Sequence, residues 1–220
     1  MNEIMVNYLP NTSIYLKQRK DMFRINTDTA LLGGFMNIQE GESVLDIGTN
    51  NGALLLYASQ HNPSLLCGID IHEEAIELAT ENLKDNAIEK FELYTCPLQE
   101  FKHEPFDVIV CNPPYFVYNN DLRTNENEFL KHARHEEFLK LEELCQCVRP
   151  LLKDHGRFYM VHRSQRLSDI MVELDKNDLG VVNVTPVYDE SKPVSTAILI
   201  EAIRGYDANV KMNKPIVVSR

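Results

Sequence analysis

Residues 106–115 read FDVIVCNPPY, an apolar run that ends in an asparagine, two prolines and a tyrosine. The run predicts a buried β-strand, and the prolines end it because they cannot donate to a sheet ladder. Asn112, Pro113 and Tyr115 should therefore lie at one edge of a sheet. There the amide oxygen of Asn112 and the carbonyl of Pro113 can each accept a hydrogen of a planar NH2 group, while Tyr115 stacks on the ring that bears it. Adenine is a base with such a group.

Strand-like and helix-like segments alternate on both sides of this stretch. The apolar runs predict seven strands, at residues 43–48, 65–71, 91–96, 106–111, 156–162, 181–188 and 195–204. Helical periodicity predicts helices at residues 53–59, 73–85, 136–153 and 164–176, the last opened by a Ser164 cap. Alternation of strand and helix, followed by two consecutive strands, predicts an α/β fold. Its sheet should be doubly wound, mostly parallel and seven-stranded, with an antiparallel hairpin at one edge.

Length and composition are those of one globular domain. The chain has 220 residues, of which 44% are hydrophobic and 25% charged, and this is enough for one sizeable core. We expect a single domain with an N-terminal extension (1–40), a core (41–205) and a C-terminal tail (206–220). The first ten residues lack the pattern of a signal peptide, and no apolar stretch reaches membrane-spanning length. We therefore expect a cytoplasmic protein with no membrane partner.

The five cysteines also suit a cytoplasmic protein. Three of them lie in apolar strand-like runs. Cys145 and Cys147 are separated by one residue and have no second pair to complete a metal site. We expect no bound metal.

The net charge of −11 counts at first sight against a nucleic-acid partner. Residues 70–107 hold eleven acidic residues against three lysines, so −8 of this charge lies in a short part of the chain. Basic residues cluster elsewhere, at Lys17, Arg19, Lys20 and Arg24, at Arg163 and Arg166, and at Lys211, Lys214 and Arg220. Phosphate contact and an ordinary solvated surface are equally open interpretations of these clusters.

The first strand of the predicted core ends in residues 46–52, DIGTNNG. Gly48 and Gly52 allow positive φ angles and a close approach of the backbone to a ligand, which is typical of a cofactor loop and also of a plain tight turn. Asp70 ends the next strand, eighteen residues after Gly52, where a carboxylate can accept hydrogen bonds from both hydroxyls of a ribose. A nicotinamide cofactor would suit this geometry too, but it gives no reason for the Asn-Pro-Pro-Tyr corner.

The segments DIGTNNG (46–52), GID (68–70) and CNPPY (111–115), in this order and spacing, resemble class I methyltransferases that use S-adenosylmethionine and methylate exocyclic or amide nitrogens. The resemblance covers roughly residues 23 to 204 and implies a Rossmann-like fold. Three further segments resemble the tRNA1(Val) (adenine(37)-N6)-methyltransferase family, whose members modify the adenosine 3′ of the anticodon. They are FRINTDTALL (23–32), ARHE (133–136) and VHRSQRL (161–167). Glutamine methyltransferases of release factors share the tetrapeptide, but they carry a long helical domain where only about forty residues precede the first core strand here.

The resemblance implies three sets of site residues. S-adenosylmethionine would contact Asp28, Asp46, Gly48, Gly52, Asp70, Ile71, Leu98 and Asn112. The catalytic residues would be Asn112, Pro113 and Tyr115. The tRNA anticodon loop would contact Pro114, Tyr115, Phe116, Lys20, Arg24, Arg134 and Arg163.

Three positions depart from the family pattern or allow another role. Residues 95–98 read TCPL where the family often has an acidic residue for the cofactor's adenine, so the backbone N–H of Leu98 would have to serve. Asn50 stands where the motif often has a glycine. The substitution should be tolerated because asparagine can adopt a positive φ. Thr27 or Asp28 can instead cap a helix at residues 29–36, and this role is as well supported for Asp28 as cofactor contact.

The chemistry predicted for this corner needs no strong base. Acceptors on both hydrogens make an aromatic amine more pyramidal and aim its lone pair at the methyl carbon. The alkylated nitrogen is then acidic enough to release a proton, so we expect structural roles for His135, Glu136 and His162. We expect a monomeric tRNA adenine methyltransferase. Methylation of a protein glutamine, methylation of another RNA or DNA adenine, and a module that binds cofactor or nucleotide without catalysis stay open as alternatives.

Overall fold

The computed structural model describes residues 3–113 and 141–219. The described strands are β1 (Ile4–Tyr8), β2 (Tyr15–Arg19), β3 (Ser43–Ile47), β4 (Leu65–Asp70), β5 (Phe91–Thr95), β6 (Phe106–Cys111), β7 (Leu152–His162), β8 (Leu179–Asp189), β9 (Ser195–Arg204), β10 (Lys211–Met212) and β11 (Ile216–Val218). The described α-helices are α1 (Thr27–Phe35), α2 (Ala53–Ser59), α3 (Glu73–Asp85), α4 (Leu141–Leu151) and α5 (Leu167–Lys176), and a 3₁₀ turn spans Ser164–Arg166.

The main sheet confirms the predicted α/β architecture. Its strand order is β5-β4-β3-β6-β7-β9-β8, with β3 to β7 all parallel and β9 antiparallel to both of its neighbours. The two short strands β10 and β11, which the sequence analysis did not predict, pair with β8 from the C-terminal tail. The described sheet therefore has nine strands where seven were predicted. The first core strand, β3, lies between β4 and β6, so the strand order reverses there.

Both faces of the sheet are covered, as the continuous apolar strands predict. Leu45 and Ile47 of β3 pack into one cluster with buried side chains of α4 and α5. Val44, the residue before Leu45, packs on the other face with buried side chains of α1, α2 and α3. Successive strand residues point to opposite faces, and this places one helical layer on each side.

The strands β1 and β2 form a separate two-stranded hairpin that the sequence analysis missed. Asn82 of α3 anchors it: the side-chain oxygen accepts from the Lys17 N–H at 2.7 Å, and the side-chain nitrogen donates to the carbonyls of Lys17 at 3.0 Å and Asn51 at 2.9 Å. The side chain of Asn82 is buried, so these bonds replace contacts with water. The hairpin is thus joined to both α3 and the loop after β3.

Two predicted helix caps were wrong. The cap of α1 is Asn26, whose side-chain oxygen accepts from the Thr29 N–H at 2.9 Å, so Thr27 and Asp28 lie inside the first turn. Asn26 is extended, as an N-cap residue must be, and asparagine is among the best cap residues. Ser164 does not cap α5; its hydroxyl lies 2.7 Å from the hydroxyl of Ser195.

The ends of several predicted elements also shifted by one to four residues, with a shift of four at the start of β7. α4 ends at Leu151, and β7 begins at the next residue, four positions earlier than predicted. The start of the helix predicted at 136–153 lies outside the described residues. Within the described part of the chain, none of the helices has the length and apolar character needed to cross a bilayer.

Asn82 should be important for stability because it bonds the hairpin and the β3 loop at once. We expect Asn82→Ala to lower the free energy of unfolding by about 2–4 kcal/mol, since buried backbone groups lose their partners. Urea denaturation followed by circular dichroism measures this. Asn86→Ala is the matched control, because the Asn86 side chain donates only to Tyr15 and its own helix near the surface. Equal losses in the two variants would contradict the assigned role.

Candidate functional site

The loop between β3 and α2 has a backbone shaped for close approach of a ligand. Gly48, Asn50 and Gly52 have φ angles of +73°, +48° and +78°. A Cβ on Gly48 would meet nothing within 4 Å, whereas one on Gly52 would lie 3.3 Å from the Cβ of Ala79. Gly52 is therefore needed for packing on α3, while the Gly48 backbone faces open space. The turn is fixed because the N–H groups of Gly48 and Thr49 both donate to the Ile69 carbonyl at 2.9 Å.

Buried polar atoms without partners concentrate at the end of β3 and in the loop that follows it. Among the described residues, the buried side-chain N and O atoms that lack a hydrogen-bond partner are both carboxylate oxygens of Asp46, Oγ1 of Thr49, Oδ1 of Asn50 and Nδ2 of Asn51. Unpaired buried polar groups are costly, and native proteins keep them mainly where a ligand satisfies them. The loop therefore fits a polar ligand with both donors and acceptors.

Asp46 is the most buried carboxylate at this edge, with 1% of its surface exposed. The pKa of Asp46 is raised to about 7, chiefly by burial and further by the charge of Asp70; the nearby Thr49 hydroxyl, which does not reach hydrogen-bond geometry, opposes the rise. The carboxyl group is thus easily protonated when the loop holds no cation. A positively charged ligand group would favour its ionised form.

Asp70, at the carboxyl end of β4, is held in one orientation by backbone donors. Its Oδ2 accepts from the Asn50 N–H and its Oδ1 from the His72 N–H, both at 3.0 Å. Each oxygen keeps a second lone pair, so the carboxylate can still accept from two neighbouring hydroxyls. The next residue, Ile71, leaves 46% of its surface exposed at this edge, an apolar face on which a flat ring can pack.

The turn after β5 contributes a backbone donor. The N–H of Cys96 donates to the Asp70 carbonyl at 3.0 Å, which keeps this turn beside β4. The side chain of Leu98 is buried in the core, and its N–H has no acceptor among the described residues. Leu98 can therefore offer a ligand its backbone N–H but not its side chain.

Asn112 follows β6 and is oriented by a chain of hydrogen bonds. The Oδ1 of Asn26 must be an acceptor because it receives the Thr29 N–H. The Thr29 hydroxyl donates to the same oxygen at 3.1 Å and so accepts from Nδ2 of Asn112, also at 3.1 Å. The amide nitrogen of Asn112 is thereby directed at α1, and its oxygen is left as an acceptor on the other side.

His162, at the end of β7, is poorly suited to act as a base. Its Nδ1 accepts from the Arg163 N–H at 2.8 Å, so Nε2 carries the proton of the neutral ring. Burial, together with the charge of Arg166, lowers the pKa of His162 to about 4. The ring is therefore neutral at pH 7. His135 and Glu136 lie outside the described residues.

The structure brings most of the expected cofactor residues to one place. The loop of Asp46, Gly48 and Gly52, the β4 end with Asp70 and Ile71, the Leu98 turn, and Asn112 with Pro113 all lie at the carboxyl edge of the sheet around β3. Ligands bind at such edges where the strand order reverses. Asp28 is buried in the first turn of α1, next to Thr29.

The expected RNA contacts are less uniform. Lys20 forms an ion pair with Glu3 at 2.5 Å, and Arg24 and Arg163 are exposed. Pro114, Tyr115, Phe116 and Arg134 lie outside the described residues.

Sequence reasoning missed Asn26 and Thr29. The spacing of an N-cap asparagine and a threonine three residues later was a usable signal for a helix start at Asn26. The hydrogen bond between Thr29 and Asn112 spans 83 residues and could not be predicted from local pattern. Across residues 3–113 and 141–219, no group of three or more His, Cys, Asp or Glu side chains is arranged to hold a metal ion.

Comparison with protein families finds a match of residues 38–192 to a methyltransferase domain. A protein from Pedobacter heparinus is 33% identical over 174 residues, which are 77% of this chain and 73% of that protein. One from Flavobacteriaceae bacterium strain 3519-10 is 27% identical over 93% of this chain and 86% of its own length. Both carry the name tRNA1(Val) (adenine(37)-N6)-methyltransferase.

Solved structures show the same fold at low sequence identity. A protein of Agrobacterium tumefaciens described as a predicted O-methyltransferase has a TM-score of 0.68 at 17% identity, with 87% of each chain covered. A ribosomal protein L11 methylase from Lactobacillus delbrueckii subsp. bulgaricus has a TM-score of 0.61 at 19% identity, with 84% of this chain and 82% of that chain covered.

The buried carboxyl of Asp46 makes stability depend on pH. Its folded-state pKa of about 7 lies above the ordinary value of 3.8, so the folded protein binds this proton more tightly than the unfolded chain does. The contribution of Asp46 to stability is therefore complete below about pH 4 and is lost as the pH rises through 7. We expect Asp46→Asn to raise the free energy of unfolding by about 2–4 kcal/mol at pH 8 and to change it little at pH 4, measured by urea denaturation without cofactor.

Asp107→Asn is the control with the opposite sign. Burial of Asp107 opposes its ionisation, but Lys153 and Ser43 outweigh this and lower the pKa of that carboxyl. We expect Asp107→Asn to be less stable than the unchanged protein at pH 8. An Asp46→Asn variant that loses stability at pH 8 would contradict the pKa assigned to Asp46.

Proposed function

The chain belongs to the methyltransferase domain family and, within it, to the tRNA1(Val) (adenine(37)-N6)-methyltransferases, and from this we propose that it transfers a methyl group from S-adenosylmethionine to N6 of an adenosine in tRNA. The finer part of the proposal is the target, the adenosine 3′ of the anticodon of tRNA1(Val). The observation that carries the chemistry is the Asn112 amide. Its nitrogen is tied to Thr29, so its oxygen is presented as an acceptor at the edge that also holds Asp46 and Asp70.

The residues at this edge fit S-adenosylmethionine, which supplies an electrophilic methyl carbon on a sulfonium. We infer that Asp70 accepts from the two ribose hydroxyls, because its second lone pairs stay available beside the backbone donors. Ile71 would pack on the adenine, and the Leu98 N–H would donate to a ring nitrogen. Asp46 and the Gly48 backbone would face the charged amino-acid end, where the orphaned polar atoms of the loop are satisfied.

The protein groups proposed to act on the target amine are acceptors. Oδ1 of Asn112 and the carbonyl of Pro113 each take one hydrogen of the N6 amino group, which draws the nitrogen out of conjugation and aims its lone pair. Both acceptors directly follow β6, and the Asn112 amide is oriented by Thr29 before the substrate arrives. The methylated nitrogen then loses one proton to water or to one of these oxygens.

This chemistry agrees with the state of His162. A base with a pKa of about 4 and its Nδ1 already bonded would contribute little to proton removal. Because the nitrogen becomes acidic only after methylation, a strong base is not required. Tyr115, predicted to stack on the target base, lies outside the described residues and stays a prediction.

A glutamine side chain presents the same planar NH2 to such a corner, so substrate class must be tested directly. We favour tRNA because the related proteins that cover most of this chain bear the name of tRNA methyltransferases. We also propose that the protein acts in the cytoplasm as a monomer. Sedimentation of the purified chain at the concentrations used for assays tests the latter.

We expect Asn112→Ala to lower kcat for tRNA methylation about 100- to 1,000-fold while changing cofactor affinity much less, because it removes an acceptor for the reacting amine. Transfer of a labelled methyl group to unmodified tRNA1(Val) transcript measures kcat, and calorimetry with S-adenosylhomocysteine measures binding. Lys90→Ala is a control, since Lys90 is exposed and precedes β5 at the opposite edge of the sheet.

Two substrates serve as further controls for the same experiment. A transcript with guanosine in place of the adenosine 3′ of the anticodon should accept no methyl group, and neither should a release factor. Methyl transfer to the release factor but not to tRNA would overturn the proposed substrate. If Asn112→Ala weakened cofactor binding but kept its kcat at saturating cofactor, the role proposed for the amide would be wrong.

A further inference from the structure

We propose that a groove beside the N-terminal hairpin binds the phosphodiester backbone of tRNA next to the target adenosine; this inference rests on the proposed function. The groove, here called the hairpin groove, has a volume of about 560 Å³. The side chains that matter to it are those of Asn7, Tyr8, Gln18, Arg24 and Asn26.

The amide oxygens around the hairpin groove are already used inside the protein. Oδ1 of Asn7 accepts from the Gln18 side chain, and Oε1 of Gln18 accepts from the Ile25 N–H, both at 2.8 Å. Oδ1 of Asn26 caps α1. These bonds fix the orientation of each amide, so Nδ2 of Asn7 and Nδ2 of Asn26 are left without an acceptor among the described residues. The groove therefore presents hydrogen-bond donors and suits a ligand rich in acceptors.

The charges near the hairpin groove point to the same kind of ligand. Three cations of the hairpin region are paired: Lys17 with Asp85 at 2.9 Å, Arg19 with Asp21 at 2.6 Å, and Lys20 with Glu3 at 2.5 Å. Arg24 is exposed and forms no ion pair with any residue that the structure describes. Its guanidinium is thus available to an external anion, and this geometry suits phosphate.

The hairpin groove adjoins the proposed methyl-transfer site through residues 23–29. The Phe23 carbonyl accepts from the Asn50 side chain at 2.7 Å, which ties this segment to the loop after β3. At its other end, Asn26 is connected to Asn112 through Thr29 by two hydrogen bonds of 3.1 Å. A strand lying in the groove would therefore lead directly to Asn112.

An RNA strand fits these features better than an acidic protein segment. Phosphodiester oxygens are charged hydrogen-bond acceptors that repeat along the strand. They can therefore pair with the two amide donors and the guanidinium of the groove. Tyr8 adds an aromatic ring with 71% of its surface exposed, on which an unpaired base of a loop can stack. An acidic peptide would use Arg24 but gains nothing from the Tyr8 ring.

The test uses two substitutions that keep the fold. Arg24→Gln removes the unpaired charge, and Asn7→Asp keeps the acceptor for Gln18 while it turns the free donor into a carboxylate. Fluorescence anisotropy with a labelled anticodon stem-loop RNA gives Kd at several salt concentrations. We expect each variant to bind about 3- to 10-fold more weakly, and Arg24→Gln to reduce the salt slope by about one. Lys90→Gln removes an exposed charge at the opposite edge of the sheet and should bind like the unchanged protein.

The outcomes separate the groove from the proposed function. If the unchanged protein methylates tRNA and both variants bind the stem-loop with the same Kd and salt slope as the unchanged protein, the groove is not an RNA site. If both variants weaken RNA binding, the groove is supported even where methyl transfer to this tRNA fails. Calorimetry with S-adenosylhomocysteine tests whether the variants are folded. If Lys90→Gln weakened RNA binding as much as the groove variants do, the effect would be a non-specific charge effect, and the proposed RNA site in the groove would be wrong.

The hydrogen bonds between α1 and β6 carry a second inference: the geometry assigns Thr29 as a positioning residue for Asn112. Because the hydroxyl hydrogen of Thr29 is held by Asn26, the hydroxyl can only accept from Asn112, and this selects Nδ2 of Asn112 as its partner. Without the hydroxyl, the amide could rotate and present its nitrogen to the target amine, and two donors would then face each other. Thr29 would thus act on the rate through Asn112 without touching the substrate.

Thr29→Val tests this inference because it preserves shape and removes the hydroxyl. We expect kcat for tRNA methylation to fall about 10- to 100-fold, with smaller changes in KM and in S-adenosylhomocysteine affinity. Thr29→Ser should restore most of kcat, since it keeps the hydroxyl, and Thr29→Ala provides a second hydroxyl-free variant should Val disturb packing. Unchanged kcat in the hydroxyl-free variants, or a loss that Ser does not restore, would overturn the role of Thr29. Unchanged kcat in Asn112→Ala would overturn the role of the amide, whereas absence of methyl transfer to tRNA by the unchanged protein would overturn the proposed function.

Discussion

The position of β3 between β4 and β6 is the constraint on which the site depends. Parallel pairing on both sides brings the ends of three strands to one edge, and the reversal of strand order opens a crevice between the connections that follow them. The loop of Asp46 can then leave polar atoms unpaired without losing the fold, because apolar contacts on both faces of β3 hold the strand in place. Stability from the sheet core therefore permits a polar, strained loop at the sheet edge.

The parts of the fold that the sequence predicted are those whose signal is local. Strand β6 and helices α2 and α3 have the predicted bounds because buried parallel strands are continuously apolar and the helices keep their own periodicity. The hairpin was missed because its strands mix polar and apolar residues and are fixed by Asn82, 65 positions away from Lys17. The short strands β10 and β11 likewise depend on the edge of β8 and not on their own composition.

The residues of the candidate site also fall into those that local sequence predicts and those that it does not. Glycines and carboxylates at strand ends could be predicted because turn geometry and strand position alone determine where Gly48, Gly52 and Asp70 lie. The direction of the Asn112 amide could not, since it is set by a hydroxyl on α1 that is itself set by a helix cap. An amide has a donor end and an acceptor end of similar shape, so its function depends on neighbours that only the folded chain supplies.

A protein with a net charge of −11 cannot obtain most of its RNA affinity from general electrostatic attraction. Much of the negative charge lies between residues 70 and 107, on α3 and the strands and turns around it, and part of that charge pairs with Lys17 of the hairpin. Such pairing removes cations that would otherwise attract any polyanion. Among the residues that the structure describes around the hairpin groove, Arg24 has no ion pair, and it lies beside neutral amide donors and the exposed ring of Tyr8. As we propose, these groups would recognise an unstacked loop by local geometry, and the negative surface would exclude long duplexes while it admits a single-stranded loop.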